Sequence, residues 1–260
     1  MLRGIYIAAS GMSGRADAID VLANNLANVN TNGYKADKLS ASSFNKMLLS
    51  RIDDAPPGVL GKINQPPQVG QAEMAGAIAE NQYIDFTPGG TTFTENPLDL
   101  ALDGPGFFTL DGGNGQVFYA REGAFTIDSD RYLINQSGLR VLDPAGQPIR
   151  IYSPGEIRVD SDGSISIGGL PAGKLGVLEF TDLNTLTKAG HNLFSSTSAS
   201  GPATNTEVIQ GAIERSNVNP ISSLTQLIAK FREFEAAART VDTIDRTLDK
   251  VVNELGRISG

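Results

Sequence analysis

Residues 5–26 read IYIAASGMSGRADAIDVLANNL, and residues 227–255 read LIAKFREFEAAARTVDTIDRTLDKVVNEL. In the first stretch Ile5, Met12, Ile19 and Leu26 stand seven residues apart. In the second, Leu227, Phe234, Val241, Leu248 and Leu255 keep the same step. An apolar residue at every seventh position marks a helical seam that packs against another helix. Two such seams at opposite ends of one chain predict that the ends pack together and that neighbouring copies complete them. A terminal helix lying on its own domain's core is the plainer alternative, but it does not explain why both distant segments keep the same step.

Working inward, Val29-Asn30-Thr31-Asn32-Gly33 is turn chemistry, so the first helix is expected to stop near Asn28. Ala9, Ala16 and Ala23 flank its seam, where small side chains let helices approach closely. Asn24 and Asn28 lie one turn apart on one face, and a buried amide there would fix helix register. Pro220, preceded by Asn219 as a cap, is expected to open the second helix. Leu224, Phe231 and Ala238 widen its apolar face, while Glu235–Arg239 and Asp242–Arg246 are spaced as i,i+4 pairs, each contributing about 0.2–0.5 kcal/mol.

Between the helices the chain changes character twice. Residues 34–80 contain Pro56-Pro57-Gly58 and Pro66-Pro67, which favour extended polyproline geometry and read as an arm or linker. Residues 81–212 read as short strands. Leu98, Leu100 and Leu102 alternate with polar or small residues, as do the pairs Phe125/Ile127, Leu139/Val141, Ile149/Ile151, Ile157/Val159 and Ile165/Ile167. Ile157 to Ile167 predicts a hairpin turning at Asp162-Gly163. Residues 195–206, SSTSASGPATNT, read as a polar loop. The expected fold class is α+β. Terminal helices over 1–33 and 213–260 form a coiled-coil-like core, joined by the arm over 34–80 and an antiparallel β domain over 81–212.

Composition narrows the function. The 260 residues carry a net charge of −8, which disfavours nucleic acid or anionic membrane as a partner. No run approaches the roughly 20 apolar residues of a membrane span. Arg15, Asp17 and Asp20 interrupt the N-terminal region before a signal-peptide core could form, so no cleaved secretory signal is expected. Cysteine is absent, which excludes disulfides and thiolate chemistry. His191 is the single histidine; a Ser-His-Asp triad would need it, yet no Gly-x-Ser-x-Gly elbow occurs. Asp160-Ser161-Asp162-Gly163-Ser164 lacks the ligand spacing and distal Glu of a calcium loop. No cofactor, metal or catalytic set is expected.

Four pieces carry a resemblance. Ala23-Asn24-Asn25-Leu26-Ala27-Asn28-Val29-Asn30-Thr31-Asn32-Gly33-Tyr34-Lys35 is similar to the N-terminal motif of bacterial flagellar rod and hook proteins. Pro97-Leu98-Asp99-Leu100-Ala101-Leu102-Asp103-Gly104-Pro105-Gly106-Phe107-Phe108 and Tyr119-Ala120-Arg121-Glu122-Gly123-Ala124-Phe125 resemble successive β segments of that family. Glu214-Arg215-Ser216-Asn217-Val218-Asn219-Pro220 resembles the junction before its last helix. The pieces keep the family's order, and the length is similar to the basal-body rod proteins rather than the longer hook protein. Ser129-Asp130-Arg131-Tyr132 departs from the pattern, since the family usually places Gly in that turn.

The resemblance implies a non-enzymatic structural subunit of the basal-body rod, exported by the flagellar type III apparatus. It implies helical polymerisation around a central channel, with the end helices forming the inner wall and the β domain facing outward. It further implies contact with other rod and hook proteins and with surrounding ring proteins, but not membrane insertion. The expected assembly residues are Ile5, Met12, Ile19, Leu26, Asn24, Asn25, Asn28, Asn217, Asn219, Leu227, Phe234, Val241, Leu248 and Leu255. A hook-type subunit, a glycan-binding β-rich hydrolase and a soluble β-rich binding module with incidental helical ends are the alternatives.

Overall fold

The computed structural model describes residues 2–43, 47–50, 68–72, 78–113, 115–152, 155–198 and 200–258. The expected polyproline stretches at 56–58 and 66–67 lie outside these residues, as do the side chains of Ile5 and Leu255. The fold is α+β. Helix α1 runs Leu2–Ala27 and helix α2 runs Pro220–Ile258, with predominantly antiparallel strands between them. Two compact units emerge. One gathers Met1–Ala23, Lys38–Tyr83 and Leu224–Gly260; the other gathers Asn24–Asp37 and Ile84–Ser223.

The termini of both helices are where the sequence placed them. Asn28 N–H still bonds back to the Asn24 carbonyl, and beyond it Thr31 N–H turns onto the Asn28 carbonyl. Asn219 Oδ1 accepts from the backbone N–H of Ile221 and Ser222, each at 3.1 Å, satisfying two donors that the helix start leaves open. The Glu235–Arg239 and Asp242–Arg246 ion pairs both form on the exposed side of α2.

Among the described side chains of α1, Gly11, Gly14, Ala18 and Asn25 are buried, whereas Met12, Ile19 and Leu26 are half-buried and Ala9 and Ala23 are exposed. On α2, Leu227, Phe234, Val241 and Leu248 are all half-buried. Within this unit an ion pair, Arg15 Nε to Glu233 Oε2 at 3.5 Å, joins the two helices.

The region read as an arm contains paired strands. Asp37–Ser43 lies beside Ile78–Ile84, and Met47–Ser50 pairs antiparallel with Gln68–Ala72. The ladder hydrogen bonds of these strands satisfy backbone polar groups that water would otherwise have to serve.

The second unit is built on a nine-stranded sheet. Its central strand, Phe107–Asp111, pairs with Val117–Ala120 on one side and with Arg140–Val141 and Val177–Phe180 on the other. Simple alternation fails at its middle: Phe107, Phe108, Thr109 and Leu110 are all buried. Both faces of that strand are covered. Phe108 and Leu110 face a large cluster with Phe125, Val141, Ile149, Ile165 and Leu193. Phe107 faces a second cluster with Phe180, Leu186 and Phe194. Phe107 meets the rings of Phe86, Phe180 and Phe194 at centroid distances of 5.7, 5.7 and 5.9 Å, all edge-on. Leu100–Asp103 likewise buries Leu100, Ala101 and Leu102 together, and pairs with Glu207–Gln210.

The expected hairpin forms with Ile157 opposite Ile167 and Val159 opposite Ile165. Asp162 locks its turn by accepting from Ser164 N–H and Oγ, and these bonds with Lys174 hold its carboxyl down at about 2. The polar stretch at 195–206 is not simply a loop. Ser200–Pro202 pairs with Val177–Phe180 as an outer strand, which its polar side chains permit because such a strand faces water.

The turn that lacks the customary glycine has a visible consequence. Arg131 sits at φ 65, a left-handed conformation that disfavours any residue with a Cβ. The turn is held by Asp128, whose Oδ1 accepts from Tyr132 N–H at 2.7 Å. Arg131→Gly should therefore raise stability by about 0.5–1 kcal/mol in denaturant melts of the purified chain. A loss of stability would show that the Arg131 contact to the Tyr152 carbonyl outweighs the backbone strain.

Candidate functional site: a buried ionic junction at the ends of the helices

Three of the quoted motifs meet at one buried carboxylate. Lys35 follows the turn after α1, Arg121 follows the strand Val117–Ala120, and Glu214 closes the strand Ala212–Glu214 just before α2. Lys35 Nζ lies 2.6 Å from Glu214 Oε1, and Arg121 Nη1 lies 3.5 Å from Oε2. The exposed fractions are 0% for Lys35 and 2% for each of the other two, so water does not screen the group. Burial pushes both Lys35 and Arg121 below their ordinary values, and in each case the Glu214 charge opposes the shift. The leftover valences are also used: Lys35 Nζ donates to the Thr87 carbonyl at 3.0 Å, and Glu214 Oε1 accepts from Gly89 N–H at 2.9 Å. The Arg121 guanidinium also stacks 4.7 Å over the Phe107 ring, which ties the ionic junction to the aromatic cluster.

The backbone around these charges is stitched as closely. Gly33 N–H donates to the Glu214 carbonyl at 2.8 Å. Gly33 has φ +66, and a Cβ there would fall 2.5 Å from the Arg121 carbonyl carbon, so only glycine fits. A Cβ on Gly123 would fall 1.7 Å from the Leu100 carbonyl oxygen, which brings the fourth motif into the same neighbourhood. Asn217 spans the remaining gap: its Oδ1 accepts from Ala36 N–H, and its Nδ2 donates to the Asp85 and Thr87 carbonyls.

The asparagines of the first motif work in the same structure. Asn25 is buried; its Nδ2 donates to the Asp37 carbonyl at 2.7 Å and its Oδ1 accepts from Asp37 N–H at 2.9 Å. Tyr34 Oη donates to Asn24 Oδ1 at 2.8 Å and reaches Asn25 Oδ1 at 3.1 Å. Burial, helped by the Asp37 charge, pushes the Tyr34 hydroxyl up to about 12. Asn28 Nδ2 donates to the Asn24 carbonyl and its Oδ1 accepts from Thr31. Lys188 completes the layer. Its Nζ donates to the Lys35 carbonyl and Asp37 Oδ2, both at 2.8 Å, and lies 4.3 Å from the Tyr34 ring centroid.

Of the residues expected to serve assembly, Asn24, Asn25, Asn28, Asn217 and Asn219 therefore have side chains bonded within the chain. The structure brings the first four together around this junction and leaves the apolar seam positions on the two helices. The charged members, Lys35, Arg121, Glu214, Asp37 and Lys188, were not singled out. Three of them lay inside the quoted motifs, and the available signal was a set of opposite charges embedded in otherwise apolar or turn-forming segments.

The acid is flanked by two cations and its oxygens are engaged, while Arg121 Nε is buried without a partner. The junction's role is to hold. Glu214→Gln would strip two buried cations of their nearest counter-charge, and should cost about 3–5 kcal/mol in chemical unfolding of the purified chain. The control Glu207→Gln, at an exposed site, should stay within about 0.5 kcal/mol of the parent. Equal stability of Glu214→Gln and the parent would show that the junction does not hold the fold.

Comparison with known proteins agrees with this geometry. The family model described as Flagella basal body rod protein matches residues 5–35. Flagellar hook protein FlgE/F/G D1 domain matches 101–167, and Flagellar basal body rod FlgEFG protein C-terminal matches 209–255. The flagellar basal-body rod protein FlgF of Caulobacter vibrioides is 33% identical over 262 residues, covering 100% of both chains. The FlgG rod protein of Bacillus subtilis is 32% identical, covering 97% of this chain and 99% of its own. The flagellar hook-basal body complex protein FlhO of the same organism is 29% identical, covering 99% and 100%. The four motifs, the meeting of three of them at Glu214 and these full-length likenesses agree: the chain belongs to the flagellar basal-body rod protein family.

Proposed function

We infer that this chain is a structural subunit of the flagellar basal-body rod, and that it works by polymerising helically, without catalysis, into the axial drive shaft. The observation that carries the polymerisation reading is the surface of α2. Leu224, Ile228 and Phe231 stand at helical spacing and are 48%, 48% and 52% exposed, a large apolar row for a helix otherwise rich in charge. The half-buried seam Leu227, Phe234, Val241 and Leu248 runs beside it. Completing the burial of such a side chain adds on the order of 1 kcal/mol, so a row of them repeated through a polymer offsets the entropy of ordering a long helix. A coiled-coil-like core of end helices, contributed by neighbouring copies, is the arrangement this row suits.

The rest of the reading follows from family membership. Other rod and hook proteins are the neighbours expected along the axis, and the flagellar export apparatus is the expected route of delivery. No helix among the described residues is long and apolar enough to cross a membrane.

The test places a charge in the row. Ile228→Asp and Phe231→Asp should each abolish rod structures in electron micrographs of isolated basal bodies. The thermal melt of the β unit should stay unchanged. Normal rods carrying either variant would overturn the assembly role of α2.

A further inference from the structure

The second unit contains a cavity that the holding role of the junction does not use. It measures about 490 Å³ and is lined by the end of α1, the Gln136–Ser137 turn, and the turn Gly190 to Leu193 between strands Leu186–Gly190 and Leu193–Ser196. Glu122 lines it. This side chain is 7% exposed and, among the described residues, makes no hydrogen bond or ion pair. Burial pushes its carboxyl up from the ordinary value, as expected of an acid with no cation beside it. A second acceptor in the same wall is also unfilled: Asn192 Oδ1 is buried without a partner, although its Nδ2 donates to the Asn32 carbonyl at 2.6 Å.

The other polar groups of the wall are committed. Asn24 Oδ1 takes the Tyr34 hydroxyl and Asn28 Oδ1 takes Thr31. Lys188 is held by Asp37 and the Lys35 carbonyl, so it does not neutralise Glu122. What the cavity lacks is a positively charged donor able to reach two acceptors. A guanidinium has five N–H donors in a planar fork and an ammonium has three. The wall is too polar for the mostly apolar pockets that take small organic ligands. The complementary groups are on the chain itself. Arg215, Arg232 and Lys250 are exposed and, among the described residues, have no ion pair or side-chain hydrogen bond.

We propose that the cavity beside Glu122 receives a basic side chain from a second copy of this chain, making it a subunit-to-subunit socket in the rod. The proposal rests on the reading of the chain as a rod subunit. In the assembled state the incoming cation pairs the Glu122 carboxylate, which the free chain leaves without a partner.

The experiment uses basal bodies from cells in which the sole copy of this chain has His191, exposed at the cavity rim, replaced by the photo-crosslinking residue benzoylphenylalanine. Irradiation should give a dimer of this chain, crosslinked to a peptide carrying Arg215, Arg232 or Lys250. Adding Glu122→Gln, which keeps the shape and removes the charge, should lower the dimer yield about tenfold. Among Arg215→Glu, Arg232→Glu and Lys250→Glu, all exposed changes, one should reproduce that loss. Basal bodies that contain the chain but give no dimer, or only adducts within one chain or to another protein, would overturn the socket. So would a dimer yield untouched by every charge change. Absence of the parent chain from basal bodies would instead overturn the rod-subunit reading.

Discussion

A single carboxylate, that of Glu214, sits where three distant parts of the chain must agree. It neutralises Lys35, 179 residues away in sequence, and Arg121, 93 residues away. A buried ion group of this kind is weak evidence for stability, because removing charges from water costs several kcal/mol before any attraction is counted. It is stronger evidence for specificity. The arrangement engages the acid, both cations, the Thr87 carbonyl and the Gly89 amide together. That arrangement fixes where the chain enters the β unit from α1 and where it leaves for α2.

The consequence is a division of labour along each helix. At the junction, α1 ends in asparagines whose side chains bond within the chain, and α2 begins under an asparagine cap. Away from the junction, α2 carries exposed apolar side chains and surface ion pairs. The rigid root and the unfinished shaft are then physically distinct.

Much of this was readable from residue patterns, for reasons that are local. Helix ends, the Asp162-Gly163 hairpin, the i,i+4 pairs and the alternating core pairs depend on neighbours within a few positions. The doubly buried strand Phe107–Leu110 was not readable as such, because its second face is covered by Phe86, Phe180 and Phe194 from elsewhere in the chain. The strand at Ser200–Pro202 was missed because its pairing is backbone to backbone and leaves no mark in side-chain chemistry. The burial of Gly11, Gly14 and Ala18 was hidden by a stronger heptad signal from larger residues. Lys35, Arg121 and Glu214 were quoted only as parts of motifs, since nothing local announces a pairing across 179 residues. Asn24, Asn25 and Asn28 were expected at the assembly interface, and their visible partners are Tyr34, Asp37 and Thr31 of the same chain.

The amides bonded to Glu214 are held within one molecule, whereas the apolar row of α2 is exposed. Amide hydrogen exchange, read on the free chain and on isolated basal bodies, measures that contrast directly. The amides of Gly33 and Gly89, bonded to Glu214, should exchange slowly and at similar rates in both states, while those of 224–250 become strongly protected only after assembly. Strong and equal protection of 224–250 in the free chain would contradict it, since a helix already complete alone has no need of neighbours.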